Sequence, residues 1–365
     1  MSEQHEQSNL LTSSNGRSGS APPKSSLRSI LYFSHFFAQW AERMWEFGIV
    51  MFLSSIAPRS LFLVSSYGLF QCAMIIFSGS RAGTYIDNTP RLVAFRTILL
   101  LQNGFVFLCS VCCYVLLTDE STGELLNGAQ WEPPLWAENM LNNVPRDYVS
   151  LGLIAAIHVF GAFGAVFSRA STVAIEKDWV VVLSMGSSSW LKETNVMMRQ
   201  IDLGCKVLAP VVAGFVISMG DIQDAAIVVG LANILAILVE WVCTKNIYDN
   251  VSELAAERAK KDVEMGSKET TSNDDGGIIN TMRAFFSQSV WEAGVALSLL
   301  YLNVLSFGNI MIAYLNYRQM NTTVIGLTRG VGETIGLLGT VAFHRSSGKI
   351  GLPITGLWSI WMQVR

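Results

Sequence analysis

Long apolar runs separated by short polar turns dominate the chain. After a polar stretch at residues 1–26, apolar segments of about 20 residues or more follow one another to the carboxyl end. A hydrocarbon core about 30 Å thick needs roughly 20 such residues per helix, and lipid offers the backbone no hydrogen-bond partner. The pattern predicts an all-α, polytopic membrane protein. Its nine predicted spans are 29–57, 61–86, 91–118, 148–175, 195–219, 222–245, 286–314, 322–344 and a last one from about 353.

Composition agrees with a membrane protein. Of the 365 residues, 51% are hydrophobic and 15% are charged, whereas soluble domains carry about 25% charged residues. The chain shows no basic face of the kind that binds nucleic acid, so we expect no nucleic-acid partner. All six cysteines lie in apolar segments, where core packing is the expected role.

Polar segments divide the chain into four parts. Residues 1–28 are predicted to form a disordered cytosolic tail, 29–245 a six-helix half, 246–285 a cytosolic linker and 286–365 part of a second half. Two six-helix halves joined in this way are typical of the major-facilitator fold. On that plan the second half lacks about three helices, so the chain is expected to be a fragment or a truncated product.

Basic residues in the loops predict the orientation. Eleven lie on the side of the amino-terminal tail and three on the other side, which places the amino terminus in the cytosol. The tail also contains Glu6 followed by Leu10 and Leu11, the spacing of an acidic di-leucine signal. The expected location is therefore the plasma membrane or the vacuolar membrane.

The first predicted helix carries polar side chains on one face. His35, Gln39, Glu42 and Glu46 follow one another at helical spacing, among large apolar residues. Charged groups inside a spanning helix are costly and mark functional sites. Imidazole, amide and carboxylate groups together are suited to a divalent cation. The alternative is that Arg43 neutralises one glutamate in a structural ion pair.

Two further helices supply oxygen donors at similar depth. Asn233 and Glu240 share a face of the sixth predicted helix, and Gln102 and Asn103 lie within the third. Three helices of one half can therefore converge on an oxygen-rich site. In the seventh predicted helix, Gly308 followed by Asn309 predicts an unwinding point or, alternatively, close packing at a glycine.

Other charged residues are interpreted as ion pairs or gates. In the fifth predicted helix Asp202 lies between Arg199 and Lys206, and in the eighth Arg329 precedes Glu333 by four residues. Gly83, Asp87 and Arg91 follow one another at intervals of four in the loop after the second helix. The residues predicted to pair or gate are Arg199, Asp202, Lys206, Asp87, Arg91, Asp178, Arg329 and Glu333.

The chain contains none of the common catalytic motifs. There is no GxSxG, no HExxH and no GxxxxGK[ST] sequence. We therefore expect no enzyme activity and no cofactor. Without a P-loop, transport is expected to be secondary or facilitated rather than driven by ATP.

Several motifs resemble the ferroportins, the solute carrier family 40 iron exporters. They are Gln39–Phe47 (QWAERMWEF), Glu176–Val181 (EKDWVV), Arg199–Asp202 (RQID) and Gly339–Phe343 (GTVAF), in that order along the chain. Ser306–Gly308 (SFG) and Thr355–Ser359 (TGLWS) look closer to plant-type members. The resemblance extends from Leu31 to Gln363.

The resemblance implies export of Fe(II), the transported substrate, through a major-facilitator fold. The family's cation site in the amino-terminal half would map onto Glu42, Gln102, Asn233 and Glu240. Animal members have Asp in place of Glu42, His in place of Glu46 and Cys in place of Asn309. A second, weaker metal site at Asn309 and an altered metal preference are therefore expected. The family's histidine of the eleventh helix lies beyond Arg365.

Two other functions stay open at this point. One is a proton-coupled major-facilitator carrier of an organic solute, with the acidic face of the first helix relaying protons. The other is a non-transporting partner that regulates full-length carriers. The metals beyond iron, the coupling ion and the oligomeric state are not readable from the sequence.

Overall fold

Helices account for nearly all of the described residues. The computed structural model describes residues 25–58, 60–118, 148–255, 282–283, 285–289, 291–301 and 308–364, and this part contains no β-strand. The helices are α1 (Ser25–Ile56), α2 (Phe62–Asn88), α3 (Arg91–Leu117), α4 (Tyr148–Thr172), α5 (Val180–Leu183), α6 (Ser188–Met219), α7 (Ile222–Asn250), α8 (Ser252–Ala255), α9 (Trp291–Tyr301), α10 (Asn309–Tyr317), α11 (Thr322–Ile350) and α12 (Leu352–Val364). A π-helical segment, Val173–Trp179, joins α4 to α5.

Several helices differ in extent from the sequence prediction. α1 already begins at Ser25, within the predicted tail, and α7 continues to Asn250, within the predicted linker. Most of the tail and of the linker lies outside the described residues. The predicted seventh span is not a single helix, because Gly308 within it has an extended backbone and α10 begins only at Asn309.

Five of the described helices are long and apolar enough to cross a membrane. They are α2, α3, the combined helix from α4 through α5, α6 and α7. Their outward faces carry exposed large apolar residues such as Leu69, Leu235 and Val242, as lipid contact requires. α1 is also long, at 32 residues, but contains Glu42, Arg43 and Glu46 near its middle.

A polar layer lies between two apolar cores. One core contains Phe47–Leu53 of α1 together with the amino-terminal part of α7, and the other contains Leu31 together with Ile247 near the end of α7. The residues between these cores on α1, α3, α4, α6 and α7 include the polar side chains Glu42, Gln102, Asn103, Ser168, Asp202, Asn233 and Glu240. The packing of α1 against α6 and α7 brings this layer together.

Small residues let α6 and α11 approach closely. A Cβ atom added to Gly326 of α11 would lie 2.6 Å from the carbonyl oxygen of Pro210, and one added to Gly330 would lie 2.9 Å from that of Val207. Small residues four apart allow this backbone contact between membrane helices. The contact joins the amino-terminal bundle to the part of the chain after the linker.

Candidate functional site

Glu42 is the central acidic group of the polar layer. Its Oε1 accepts a 2.6 Å hydrogen bond from Ser168 Oγ of α4, and its side chain is 14% exposed. The Arg43 guanidinium, by contrast, comes only within 3.9 Å of this carboxylate. Glu42 therefore keeps one carboxylate oxygen free of the close ion pair that would cancel its charge.

A second carboxylate comes from α7. Glu240 is 5% exposed and interacts electrostatically with Glu42. Both residues line one small cavity of about 30 Å³, which has room for one or two water-sized groups. Two like charges facing each other repel, and a divalent cation between them would relieve that repulsion.

Amide groups complete the oxygen-rich region. Gln102 of α3 lines the small cavity, and its buried Oε1 has no hydrogen-bond partner among the described residues. Asn233 donates to the Val229 carbonyl at 2.9 Å, which leaves its amide oxygen for another contact. Asn103, the neighbour of Gln102, donates to the Leu99 carbonyl but lines neither cavity of the polar layer.

Two cavities meet at this layer. The small cavity extends towards the amino-terminal end of α1, and a large cavity of about 240 Å³ extends the other way, past Glu46 and Ile49. Glu42, Gln102 and Ser168 line both cavities. Asn233 and Asn309 line the large cavity, and Glu240 lines the small one. A group bound at Glu42 can therefore face either cavity.

The structure divides the polar face of α1 into three parts. His35 and Gln39 line the small cavity, whereas Glu46 lines the large one. Arg43 Nη1 lies 2.6 Å from Glu46 and its Nη2 donates to Gln39 at 3.1 Å. The ion pair that the sequence left as the alternative is thus present: Arg43 is close to Glu46, at 2.6 Å, and more distant from Glu42, at 3.9 Å.

Asp202 is surrounded by cations. Arg199 and Lys206 of its own helix lie 2.8 and 3.5 Å from Oδ2, and Arg43 Nη2 lies 3.4 Å from Oδ1. Arg43 therefore links α1 to α6. Arg329 of α11 extends this network, because its Nη2 lies 3.9 Å from Glu46. No ion pair joins Arg329 to Glu333 within the described part of α11.

The other predicted charged residues lie at helix ends. Arg91 Nε contacts both carboxylate oxygens of Asp178, at 3.2 and 3.0 Å, and so ties α3 to the π-helical segment. Asp87 lies exposed at the end of α2. Gly308, just before Asn309, has extended backbone angles (φ −82°, ψ −175°), so the helix is interrupted there.

The donor set suits a hard or borderline divalent cation. Within the described residues no three His, Cys, Asp or Glu side chains cluster into a metal site. Two carboxylates and two amides are instead within one polar region. Such a set binds a cation through oxygen ligands and leaves room for water, which favours reversible binding over permanent retention.

Comparison with known proteins identifies the family. The model of the family described as Ferroportin1 (FPN1) matches residues 25–365. This chain belongs to the ferroportin family. The family assignment agrees with the motifs found in the sequence, because the match includes all of them.

Ferroportin-family relatives occur in plants and animals. Solute carrier family 40 member 1 of Oryza sativa subsp. japonica is 30% identical over 345 residues, which are 91% of this chain and 67% of that protein. Solute carrier family 40 member 2 of Arabidopsis thaliana is 26% identical, covering 91% and 68% of the two chains. Human ferroportin is 25% identical, covering 92% and 62%. The chain thus spans about two thirds of its relatives' length.

Solved structures show the same fold. A bacterial homologue of the iron transporter ferroportin in its inward-facing state superimposes with a TM-score of 0.65 at 21% identity, covering 92% of this chain and 72% of that one. The outward-facing state with soaked iron gives 0.61 at 21% identity, covering 91% and 71%. These likenesses confirm the predicted all-α, major-facilitator-like architecture, and the chain is an integral, multi-pass membrane protein.

Sequence reasoning missed two polar residues that line this candidate site. Ser168 lies in the interior of a long apolar helix, where a serine usually bonds its own backbone, and only the structure shows that it reaches Glu42. Glu176 lines the small cavity from the π-helical segment. A charged residue at the end of an apolar run is an ordinary boundary signal, so its inward direction was not readable.

Proposed function

We propose that this ferroportin-family chain exports divalent metal, with Fe(II) as the leading substrate, from the cytosol by secondary or facilitated transport. The bacterial proteins that share its fold are homologues of the iron transporter ferroportin. Transport by a family of this kind also implies that the chain is not an enzyme.

The observation that carries the proposal is the position of Glu42 and Glu240. Two buried acidic side chains from different helices line one cavity, and Glu42 also lines the cavity on the opposite side. Buried charges without a close cation are costly, and inside a membrane helix they indicate an ion pathway. A divalent cation supplies the two positive charges that this pair lacks.

Transport would follow from access to Glu42 from alternate sides. A cation entering the small cavity would be held by Glu42 and Glu240, with the oxygen of Gln102 replacing part of its water shell, and Asn233 would offer its oxygen on the side of the large cavity. Movement of the two parts of the molecule against each other would then open the large cavity to the other side. Asn309, beside the helix interruption, would offer a further oxygen ligand on that path.

The membrane orientation belongs to the same proposal. The distribution of basic residues places the amino terminus, and with it the small cavity, towards the cytosol. Passage from the small to the large cavity is then export. The plasma membrane and the vacuolar membrane are both compatible with this direction, and the di-leucine spacing in the tail favours the vacuolar one.

Loss of cytosolic iron tests the proposal in cells. Cells that produce the chain should lose chelatable Fe(II) faster than cells without it, and Glu42→Ala should return the loss to background because one of two charged ligands is gone. Asp224→Asn removes an exposed acidic group from the other end of α7 and should leave the rate unchanged. Normal iron loss with Glu42→Ala would contradict the assignment of the site.

A further inference from the structure

The small cavity contains polar groups that the Glu42–Glu240 pair does not use. His35 lines it from α1, and Glu176 lines it from the segment that follows α4. Ser34, Ser171 and Thr172 add hydroxyl groups around them. All five lie on the side of Glu42 that faces the amino-terminal end of α1.

His35 is a buried base with one ring nitrogen that has no hydrogen-bond partner among the described residues. It is 8% exposed, and its Nε2 makes no hydrogen bond within the described structure. The backbone of Met198 on α6 interacts with the same ring. An imidazole held through one nitrogen by backbone leaves the other nitrogen as a ligand, which is the usual arrangement of a metal-binding histidine.

The π-helical segment keeps Glu176 on the cavity side. In an α-helix, each residue lies about 40° further around the axis than the residue four positions before it. Ser168, Thr172 and Glu176 would therefore not all point to the same side of a regular α-helix. A π turn contains more residues and offsets that drift, and Val173–Trp179 has this form. Such turns are frequent at functional sites. All three residues line the cavity.

We propose that His35 and Glu176 form a separate loading site that captures a partly hydrated divalent cation before it reaches Glu42 and Glu240. One imidazole and one carboxylate, with hydroxyls and water filling the remaining positions, would bind the ion more weakly than the inner pair. The site would raise the local cation concentration and remove part of the water shell. This inference rests on the proposed transport function.

Counting bound metal tests the loading site apart from transport. The purified chain in detergent should bind two Co(II) ions per molecule in equilibrium dialysis, one of them weakly. His35→Ala and Glu176→Gln should each remove the weak ion and keep the tight one, whereas Glu240→Gln should weaken the tight one and keep the other. Asp249→Asn, an exposed acidic group at the same end of α7, is the matched control and should change neither.

The outcomes separate the two proposals. Two Co(II) ions in the unaltered chain, with the weak one lost in both loading-site variants, would support the site even if the chain showed no flux. A single bound Co(II), unaffected by His35→Ala and Glu176→Gln, would overturn the loading site and leave the Glu42–Glu240 site standing. Loss of all Co(II) binding in each variant would also overturn it, since one joint site would then explain every effect.

Discussion

At the scale of single residues, Arg43 decides which glutamate of α1 is available. The same guanidinium contacts Glu46 at 2.6 Å, Gln39 at 3.1 Å and Asp202 at 3.4 Å. It comes no nearer than 3.9 Å to Glu42. One arginine therefore pairs closely with the acidic groups around the site and keeps a greater distance from the proposed ligand Glu42.

Replacing Arg43 should destabilise the fold much more than replacing Arg199, although both contact Asp202. The Arg43 side chain is 10% exposed and that of Arg199 is 64% exposed. Arg43→Met would remove buried, charge-assisted hydrogen bonds and should lower stability by about 2 kcal/mol or more, whereas Arg199→Met should cost about 1 kcal/mol or less. Thermal unfolding in detergent measures both; equal shifts would refute the special role of Arg43.

At the scale of helices, the contact between α6 and α11 depends on the absence of side chains. Gly326→Ala would push a Cβ against the Pro210 carbonyl of α6, a backbone atom that cannot rotate away. We expect a loss of about 1–3 kcal/mol, as for other overpacked sites. The unfolding temperature of the purified chain measures this loss of stability.

Gly336→Ala on the same helix is not expected to lower stability. Nothing lies within 4 Å of a Cβ built at Gly336, and alanine is the better helix former by about 0.5–1 kcal/mol. Its unfolding temperature should therefore be unchanged or higher. A decrease as large as that of Gly326→Ala would mean that an effect common to both glycines, such as lipid contact, rather than packing on α6, governs the result.

Most of the helices could be predicted from the sequence, but their interruptions could not. Apolar runs identify spans because lipid forces helical hydrogen bonding, so α2, α3, α6 and α7 were placed within a few residues except at the start of α6 and the end of α7. The π-helical turn at Val173–Trp179 leaves no such signal. Its residues have the same mixture of apolar and charged side chains as an ordinary helix end.

Helical spacing also predicted that the polar residues of α1 form one continuous face, whereas the structure divides them between two cavities. His35 and Glu46 share a face by periodicity, yet eleven residues of helix separate them by about 16 Å. They consequently line different cavities. Glu42, Gln102, Asn233 and Glu240 lie at mid-helix depth and belong to the polar layer, and their role as metal ligands stays a prediction. Which oxygen faces which cavity depends on rotamers and neighbours that spacing does not encode.

At the scale of the whole molecule, the polar layer lies between two apolar cores and is open to a cavity on each side. Apolar side chains pack on either side of the site, and Glu42 lies where the two cavities meet. This arrangement is what an alternating-access carrier of a cation requires.

Metal flux in reconstituted vesicles tests the central claim most directly. The unaltered chain should move Fe(II) or Co(II) saturably across the membrane, with or without ATP. Glu42→Gln and Glu240→Gln keep the side-chain shape but remove a charge, and each should lower the initial rate by about tenfold or more. Flux that both variants leave intact, or a chain that moves no divalent metal but takes up an organic solute along a proton gradient, would contradict the account.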